Sequence, residues 1–239
     1  MISIQITRRK NLGFSLVELA IVLIIIGFIL SMLLTPLSAQ RELSARLQTQ
    51  KLLNDANEAL VGYAIVNGYL PCPDTKPIPD GIENRKADGT CVNDDGVLPW
   101  NTLGVERVDA WEHYFGYHVD ATFSNSTNLF KISDAAGASG IKITGDNGVA
   151  LVSTNSRPVA VILSYGANAY GATNTLQATP ANKMSAPIGT DEKENVDADN
   201  DFINRTPSAK GSANEFDDML TWISPKILVN RMIMAQRLP

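Results

Sequence analysis

A single carboxylate, that of Glu18, lies near the start of a long apolar run and is the chemical group that most needs an explanation. Between Leu16 and Leu34 it is the only charged residue, and Ser31 is the only other polar one. A charge among lipid tails costs about 2.5–3.5 kcal/mol on insertion scales. An unpaired glutamate would therefore weaken a membrane anchor, and its presence indicates a positively charged partner that arrives later.

Cys72 and Cys91 are the only cysteines, and the segment between them is rich in Pro, Gly and Asp. That composition predicts a loop, because the segment offers little to bury. In an oxidising compartment two cysteines that close a loop of about 20 residues should pair, with about 3 kcal/mol of stabilisation. A metal site is the alternative, but two cysteines without nearby histidines are too few ligands for structural zinc.

An acidic cluster late in the chain contains Asp197, Asp199 and Asp201. Their alternate spacing is the one that opens many calcium loops. The full EF-hand pattern fails, because Phe202 stands where the turn glycine should be and Ser208 where the closing glutamate should be. Calcium is therefore the one cofactor that we consider, as a hypothesis, and a solvated acidic loop is the alternative.

The two histidines do not indicate an enzyme. His113 and His118 lie five positions apart in an aromatic segment, and a distant nucleophile would not be visible from spacing alone. The sequence contains no Gly-x-Ser-x-Gly, Walker or His-Glu-x-x-His motif. We therefore expect structural histidines and no catalytic activity. The net charge of −5 gives no indication of a nucleic-acid surface either.

The apolar run is long enough to cross a bilayer, since a helix needs about 20 mostly apolar residues to do so. Arg8, Arg9 and Lys10 precede the run and predict a cytoplasmic N-terminus, with the bulk of the chain outside. A secretory signal cleaved near Leu37-Ser38-Ala39 is one alternative, but such signals have a shorter apolar region and no internal glutamate. A plain one-span anchor is the other alternative, and it leaves Glu18 unexplained.

The N-terminus resembles the signature of type IV pilins and of the pseudopilins of type II secretion in the run Gly13-Phe14-Ser15-Leu16-Val17-Glu18, followed by apolar residues. The resemblance implies that a prepilin peptidase cuts between Gly13 and Phe14 and then N-methylates Phe14. The cut precedes the apolar run, so the anchor is kept. The resemblance also implies that the Glu18 carboxylate meets the N-terminal amine of a neighbouring subunit in the filament, which supplies the missing partner.

Helix character continues beyond the apolar run with a changed pattern. Apolar residues recur at roughly helical spacing, at Leu43, Leu47, Leu52, Leu53, Ala56, Leu60 and Ala64. A stripe of this kind normally packs on a sheet or another helix, and Gly68 predicts its end. Together with the resemblance, this pattern divides the chain into a leader at 1–13, a membrane-spanning half-helix at 14–36, an amphipathic half-helix at 37–70 and an extracytoplasmic head at 71–239.

The head is predicted to be α+β, with a mainly antiparallel sheet packed on the first helix and a helix at the C-terminus. Val159–Leu163 has the length and apolar character of a buried central strand. Ser224 and Pro225 have the residue types of a helix N-cap and first position. Other regions carry weaker predictions: short strands at 114–119, 130–132, 141–143 and 149–152, and a long polar loop at 166–215.

Aromatic residues are concentrated between Trp100 and Tyr117. We expect them to form a corner of the core, and an exposed binding surface is the alternative. The two interpretations lead to different functions, because an exposed aromatic surface would suit an adhesive or ligand-binding head on a pilin-type anchor.

We therefore predict a prepilin-like subunit, a minor pilin or pseudopilin of a type IV pilus or a type II secretion pseudopilus. The resemblance implies as partners other pilin subunits, the prepilin peptidase and, indirectly, an inner-membrane assembly platform with a cytoplasmic ATPase. It implies a single pass through the bacterial inner membrane, with the head in the periplasm or, in a filament, outside the cell. The adhesive head is the alternative function, and a secreted hydrolase with an uncleaved anchor is disfavoured by the missing motifs.

Overall fold

The computed structural model describes residues 15–135, 139–173, 175 and 183–238, with the backbone alone for residues 31–37. The chain divides into two compact units, Met1–Ser44 and Ala45–Pro239. The predicted leader and Phe14 lie outside the described residues, so the cleavage site carries no structural description.

The first helix, α1, comprises Leu16–Asn67 and ends where the sequence predicts. Gly68 follows it with a φ of 88°, a left-handed conformation that glycine adopts without strain. In the second unit the apolar stripe is buried at Leu53, Leu60 and Ala64, each fully inaccessible. These side chains join the main core of the head, so the predicted packing of the amphipathic half on the sheet is confirmed.

Six short strands follow in the described part of the head. In chain order they are β1 (Asp95–Val97), β2 (Gly116–Val119), β3 (Lys142–Thr144), β4 (Ala160–Ser164), β5 (Asp201–Ile203) and β6 (Met219–Ile223). Strands β1, β2, β4 and β6 form an antiparallel sheet in that spatial order, and β3 pairs with β5 in a separate parallel pair. The predicted α+β class with a mainly antiparallel sheet is confirmed.

Helical segments connect and cover the strands. They are α2 (Trp100–Leu103), α3 (Ala121–Ser124), α4 (Thr190–Glu194) and α5 (Pro225–Met234), with 3₁₀ turns at Ile132–Ala135, Asp146–Gly148 and Thr154–Ser156. The C-terminal helix begins as predicted, with Pro225 in its first turn after the N-cap residue Ser224. Its apolar side packs into the main core through Leu228 and Met232.

Strand β4 is central and buried along its whole length, because its alternating side chains serve two different cores. Ala160 and Ile162 belong to the core that contains residues of α1 and α5. Val161 and Leu163 belong to a second core with residues of β3 and β5. A sheet covered on both faces gives continuous apolar strands, which explains why the predicted central strand had no polar alternation.

Two of the predicted short strands are wrong. At 130–132 the apolar pattern reflects one anchoring side chain, since Phe130 packs on Phe123 with ring centroids 4.9 Å apart and a 3₁₀ turn follows. At 149–152 Val149 is 60% exposed, and the segment forms a single bridge, from Ala150 to Thr144 of β3. One buried side chain or one bridge is too little to extend either segment into a strand.

The predicted polar loop at 166–215 is also corrected. Its described parts contain α4 and β5, and β5 pairs with β3 because the second face of the main sheet needs a cover. The strand predicted at 114–119 is present as β2. The strand β1, which precedes it in the chain, was not predicted because it has only three residues with little apolar character.

The predicted disulfide is present between Cys72 and Cys91, whose Cα atoms are 5.3 Å apart. The loop that it closes is folded around Asp74, which is 1% exposed. The carboxylate of Asp74 accepts the backbone N–H groups of Asp80 and Gly81, both at 2.7 Å. Buried hydrogen bonds therefore organise a segment whose composition offered few apolar side chains.

Replacing both Cys72 and Cys91 by serine should lower the free energy of unfolding by about 3 kcal/mol, because the unfolded chain regains the freedom of the open loop. Urea unfolding of the full chain in detergent, followed by tryptophan fluorescence, measures this loss. Reduction of the wild-type protein with dithiothreitol is the matched control and should give the same loss, with no effect on the double variant. Equal unfolding midpoints would contradict a stabilising disulfide.

Candidate processing and assembly site

Ser15 and Glu18 close the first turn of α1 through a reciprocal pair of hydrogen bonds. The backbone N–H of Ser15 donates to Oε2 of Glu18 at 2.9 Å, and the N–H of Glu18 donates to Oγ of Ser15 at 3.2 Å. This arrangement is a capping box, which satisfies N–H groups that a helix start leaves without acceptors. This capping box was not predicted from the sequence, although Ser-x-x-Glu before an apolar run is its usual signal.

The capping box gives Glu18 a local partner in the uncleaved chain. Its carboxylate lies in the first turn of α1, where the helix dipole also favours negative charge. Cleavage after Gly13 would create a new amine on Phe14, the residue adjacent in sequence to Ser15. Because Gly13 and Phe14 lie outside the described residues, the predicted cleavage, N-methylation and intersubunit pairing stay predictions.

The side chains that follow the capping box are exposed throughout the described stretch Ser15–Leu30. Leu16 is 85% exposed and Phe28 is 71% exposed. Among the residues whose side chains are described, no helix has the combined length and apolar character needed to cross a membrane. The predicted span at 14–36 includes Phe14 and the side chains of 31–36, which lie outside that description.

The aromatic cluster between Trp100 and Tyr117 is largely buried. Trp100 stacks on Tyr114 with ring centroids 5.0 Å apart, and the two residues are 9% and 7% exposed. Phe115 and Tyr117 are each 1% exposed in the main core. The interpretation as a core corner is confirmed for these four residues, so they do not form the exposed surface that an adhesive head would use.

The three aspartates of the calcium hypothesis have other contacts. Asp201 forms an ion pair with Lys142, whose Nζ lies 2.6 Å from Oδ1 of Asp201. Asp197 and Asp199 are exposed, and Oδ1 of Asp199 accepts the N–H of Asp201 at 2.6 Å. Within the described part of the chain, the carboxylates close enough to share a cation belong instead to Glu192, Asp217 and Asp218. A calcium ion at the aspartate triplet stays a prediction.

The two histidines make contacts typical of structural residues. His118 is 7% exposed, and its Nε2 lies 3.1 Å from Oδ1 of Asn200. His113 places Nδ1 3.2 Å from the carbonyl oxygen of Gly166. Each ring thus connects β2 or the segment before it to a distant part of the head.

The convergent carboxylates are the feature of the head that sequence reasoning missed. Glu192 lies on α4, whereas Asp217 and Asp218 immediately precede β6. Burial raises the pKa of Asp217 to about 6 and raises that of Asp218 well above its usual value, and the negative charge of Glu192 adds to both shifts. Glu192 and Asp217 are 25 residues apart in the chain, so no local sequence motif predicts that their carboxylates meet.

Comparison with known protein families gives a match at the N-terminus. Residues 8–34 match the prokaryotic N-terminal methylation motif, the prepilin-type signature, so the recognition made from the N-terminal run is confirmed. The motif indicates a type IV pilin-like precursor and is typical of structural, membrane-anchored, exported proteins. It implies interaction with the prepilin peptidase and with other pilus subunits. No curated protein and no solved structure matches the chain.

The substitution Ser15→Ala removes the Oγ acceptor and should destabilise the start of α1 by about 1 kcal/mol. The amide of Glu18 should then exchange with solvent roughly fivefold faster, as measured by hydrogen–deuterium exchange in detergent micelles. Ser44→Ala, at an exposed serine inside α1, is the control and should leave this rate unchanged. Equal rates in Ser15→Ala and the wild type would contradict the capping box.

Proposed function

We propose that this chain is a minor pilin or pseudopilin, processed as a prepilin and then assembled into, or used to prime, a type IV pilus or a type II secretion pseudopilus. The observation that carries the proposal is the prepilin-type motif at residues 8–34. In this proposal the leader 1–13 is removed, residues 14–36 anchor the subunit, and the amphipathic half-helix at 37–70 supports the head at 71–239.

The change in the partner of Glu18 is the physical basis of the proposed assembly step. In the uncleaved chain its carboxylate accepts a neutral backbone N–H from Ser15. The amine that cleavage creates on Phe14 is positively charged, and charge-assisted hydrogen bonds are roughly twice as strong as neutral ones. A carboxylate facing an ammonium group is tolerated in apolar surroundings, whereas an unpaired one is not. Pairing with the amine of a neighbouring subunit therefore gives Glu18 its role in assembly.

The exposed apolar side chains of Leu16–Leu30 support the proposed anchor. Such a surface is stable only when lipid or another apolar surface covers it. The membrane covers it in the unassembled subunit, and neighbouring helices cover it in the filament. The disulfide between Cys72 and Cys91 suits the oxidising periplasm, where the head is placed by the positive residues before the run.

The remaining partners follow from the need for energy. The sequence contains no nucleotide-binding loop of its own. We therefore propose that a cytoplasmic ATPase drives assembly through an inner-membrane platform, and that the chain is itself not an enzyme. The large head favours a minor subunit over a close-packed major one. The adhesive alternative loses support from the aromatic cluster, whose residues are used in the core.

The mature protein should begin with N-methyl-Phe14, because the proposed peptidase cuts before the apolar run and keeps it. Intact-mass analysis and N-terminal sequencing of protein extracted from the native membrane measure this terminus. Coexpression with and without a prepilin peptidase is the matched control, and only the first should yield the shortened chain. A terminus at Gln40 would instead identify a cleaved secretory signal and would contradict the proposal.

Glu18→Gln should insert and be cleaved normally but should enter filaments at least tenfold less efficiently, since an amide accepts a capping hydrogen bond but carries no charge. Ser15→Ala is the matched variant that loses the cap and keeps the charge, and it should assemble nearly as well as the wild type. The fraction of subunit in sheared filaments relative to membranes gives the measurement. Normal assembly of Glu18→Gln would refute the proposed ion pair.

A further inference from the structure

We propose that the head binds one calcium ion between Glu192, Asp217 and Asp218. One carboxylate oxygen from each of these residues lies within 4.8 Å of the others. The three residues are 1%, 8% and 3% exposed, respectively. They therefore form an enclosed group of three acidic side chains inside the second unit, at the place where α4 meets the start of β6.

Each carboxylate is held in position by neutral donors to one of its oxygens. Oε1 of Glu192 accepts the side-chain amide of Asn168 and the backbone N–H of Asp217, both at 2.9 Å. Oδ2 of Asp217 accepts the backbone N–H of Asn168 at 3.0 Å, and Oδ2 of Asp218 accepts the side-chain amide of Asn195 at 2.8 Å. Such contacts orient ligands without neutralising their charge, as the outer shell of a metal site does.

The second oxygen of each carboxylate is buried and has no hydrogen-bond partner among the described residues. These atoms are Oε2 of Glu192, Oδ1 of Asp217 and Oδ1 of Asp218. Buried carboxylate oxygens without a partner are costly, and in proteins they are normally paired or bound to a metal. Each of the three clustered carboxylates carries one such oxygen, which indicates a missing partner of positive charge.

Within the described part of the head, one positive side chain is identified near the cluster. Arg46 is close enough for its charge to favour the ionised form of Asp217. When all three carboxylates are ionised, one guanidinium leaves an excess of negative charge. A divalent cation removes this excess and uses the oxygens that the protein leaves without donors.

The backbone beside the cluster also approaches closely. A Cβ atom at Gly166 would lie 2.2 Å from Oδ1 of Asp217, and the glycine has a φ of 59°. A residue with a side chain at this position would therefore displace the carboxylate from the cluster. The loop after β4 is thus shaped to leave room for the oxygen that has no donor.

The donor set and its dimensions favour calcium. Carboxylate oxygens are hard ligands, which suit calcium and magnesium, whereas zinc sites are usually built from cysteine and histidine. Calcium binds oxygen at about 2.3–2.6 Å in flexible geometry, so ligands on opposite sides are separated by about 4.6–5.2 Å. The three carboxylate oxygens lie within 4.8 Å of one another, so a single ion of this size can reach all of them. Bound there, the ion would fasten the segment that carries α4 to the central sheet.

The test uses the full chain in detergent, stripped of metal with EDTA and titrated with calcium chloride. Calorimetry should detect one ion per chain, and the melting temperature should rise by about 5–10 °C at one hundred times the dissociation constant. Asp218→Asn, which keeps the side-chain shape, should lose both effects. Asp199→Asn, at the exposed aspartate triplet, is the matched control and should keep both.

Several results would overturn the proposal. One is the absence of both heat and a melting shift when the wild-type protein is titrated to millimolar calcium, which does not depend on any variant folding. Another is a shift that survives in Asp218→Asn and disappears in Asp199→Asn, since the ion would then lie at the aspartate triplet. An equal shift with magnesium chloride would overturn the choice of calcium. A raised melting temperature of Glu192→Gln in EDTA, combined with an unchanged response to calcium, would show that the carboxylates do not bind the ion.

Discussion

The burial of β4 on both faces is the constraint on which the rest of the head depends. Each apolar side chain that is fully buried contributes about 1.5–3 kcal/mol, so neither face of this strand can be left in water. The amphipathic part of α1 and the helix α5 cover one face. The parallel pair of β3 and β5 covers the other. The need for this second cover explains why a polar, glycine-containing segment returns to the sheet instead of remaining an open loop.

The same demand for burial brings several carboxylates into the interior. The number of their oxygens that accept hydrogen bonds divides these carboxylates into two groups. Asp74 uses both oxygens to accept backbone N–H groups. Asp109 also uses both oxygens, and one of them accepts the hydroxyl of Ser164 at 2.6 Å. These two residues organise loops. Asp217 and Asp218 each use only one oxygen, which is the difference that a bound cation explains.

Sequence periodicity predicted the elements whose apolar residues are numerous and regularly spaced. The apolar stripe of α1 and the central strand β4 were accessible in this way, whereas the end of α1, the start of α5 and the disulfide were predicted from single residue types. Short elements such as β1 and β5 were not, because three residues carry too little pattern and their pairing depends on distant partners. The strand predicted at 130–132 failed for a related reason, since Phe130 is buried by a contact with Phe123 and not by a sheet. The acidic cluster could not be predicted because its members meet only through the tertiary fold.

The capping box gives Glu18 a local role that is compatible with its proposed role in assembly. A carboxylate in the first turn of a helix is stabilised by the free N–H groups and the dipole of that turn, whatever the chain does next. The free-energy cost of placing this charge among lipid tails would therefore be partly offset before any neighbouring subunit is present. In the proposed assembly, the amine created by cleavage on a neighbouring subunit would add a stronger, charged donor to a carboxylate that the cap already orients. The donors available at the helix start, and not the position of the glutamate, would then control when assembly becomes favourable.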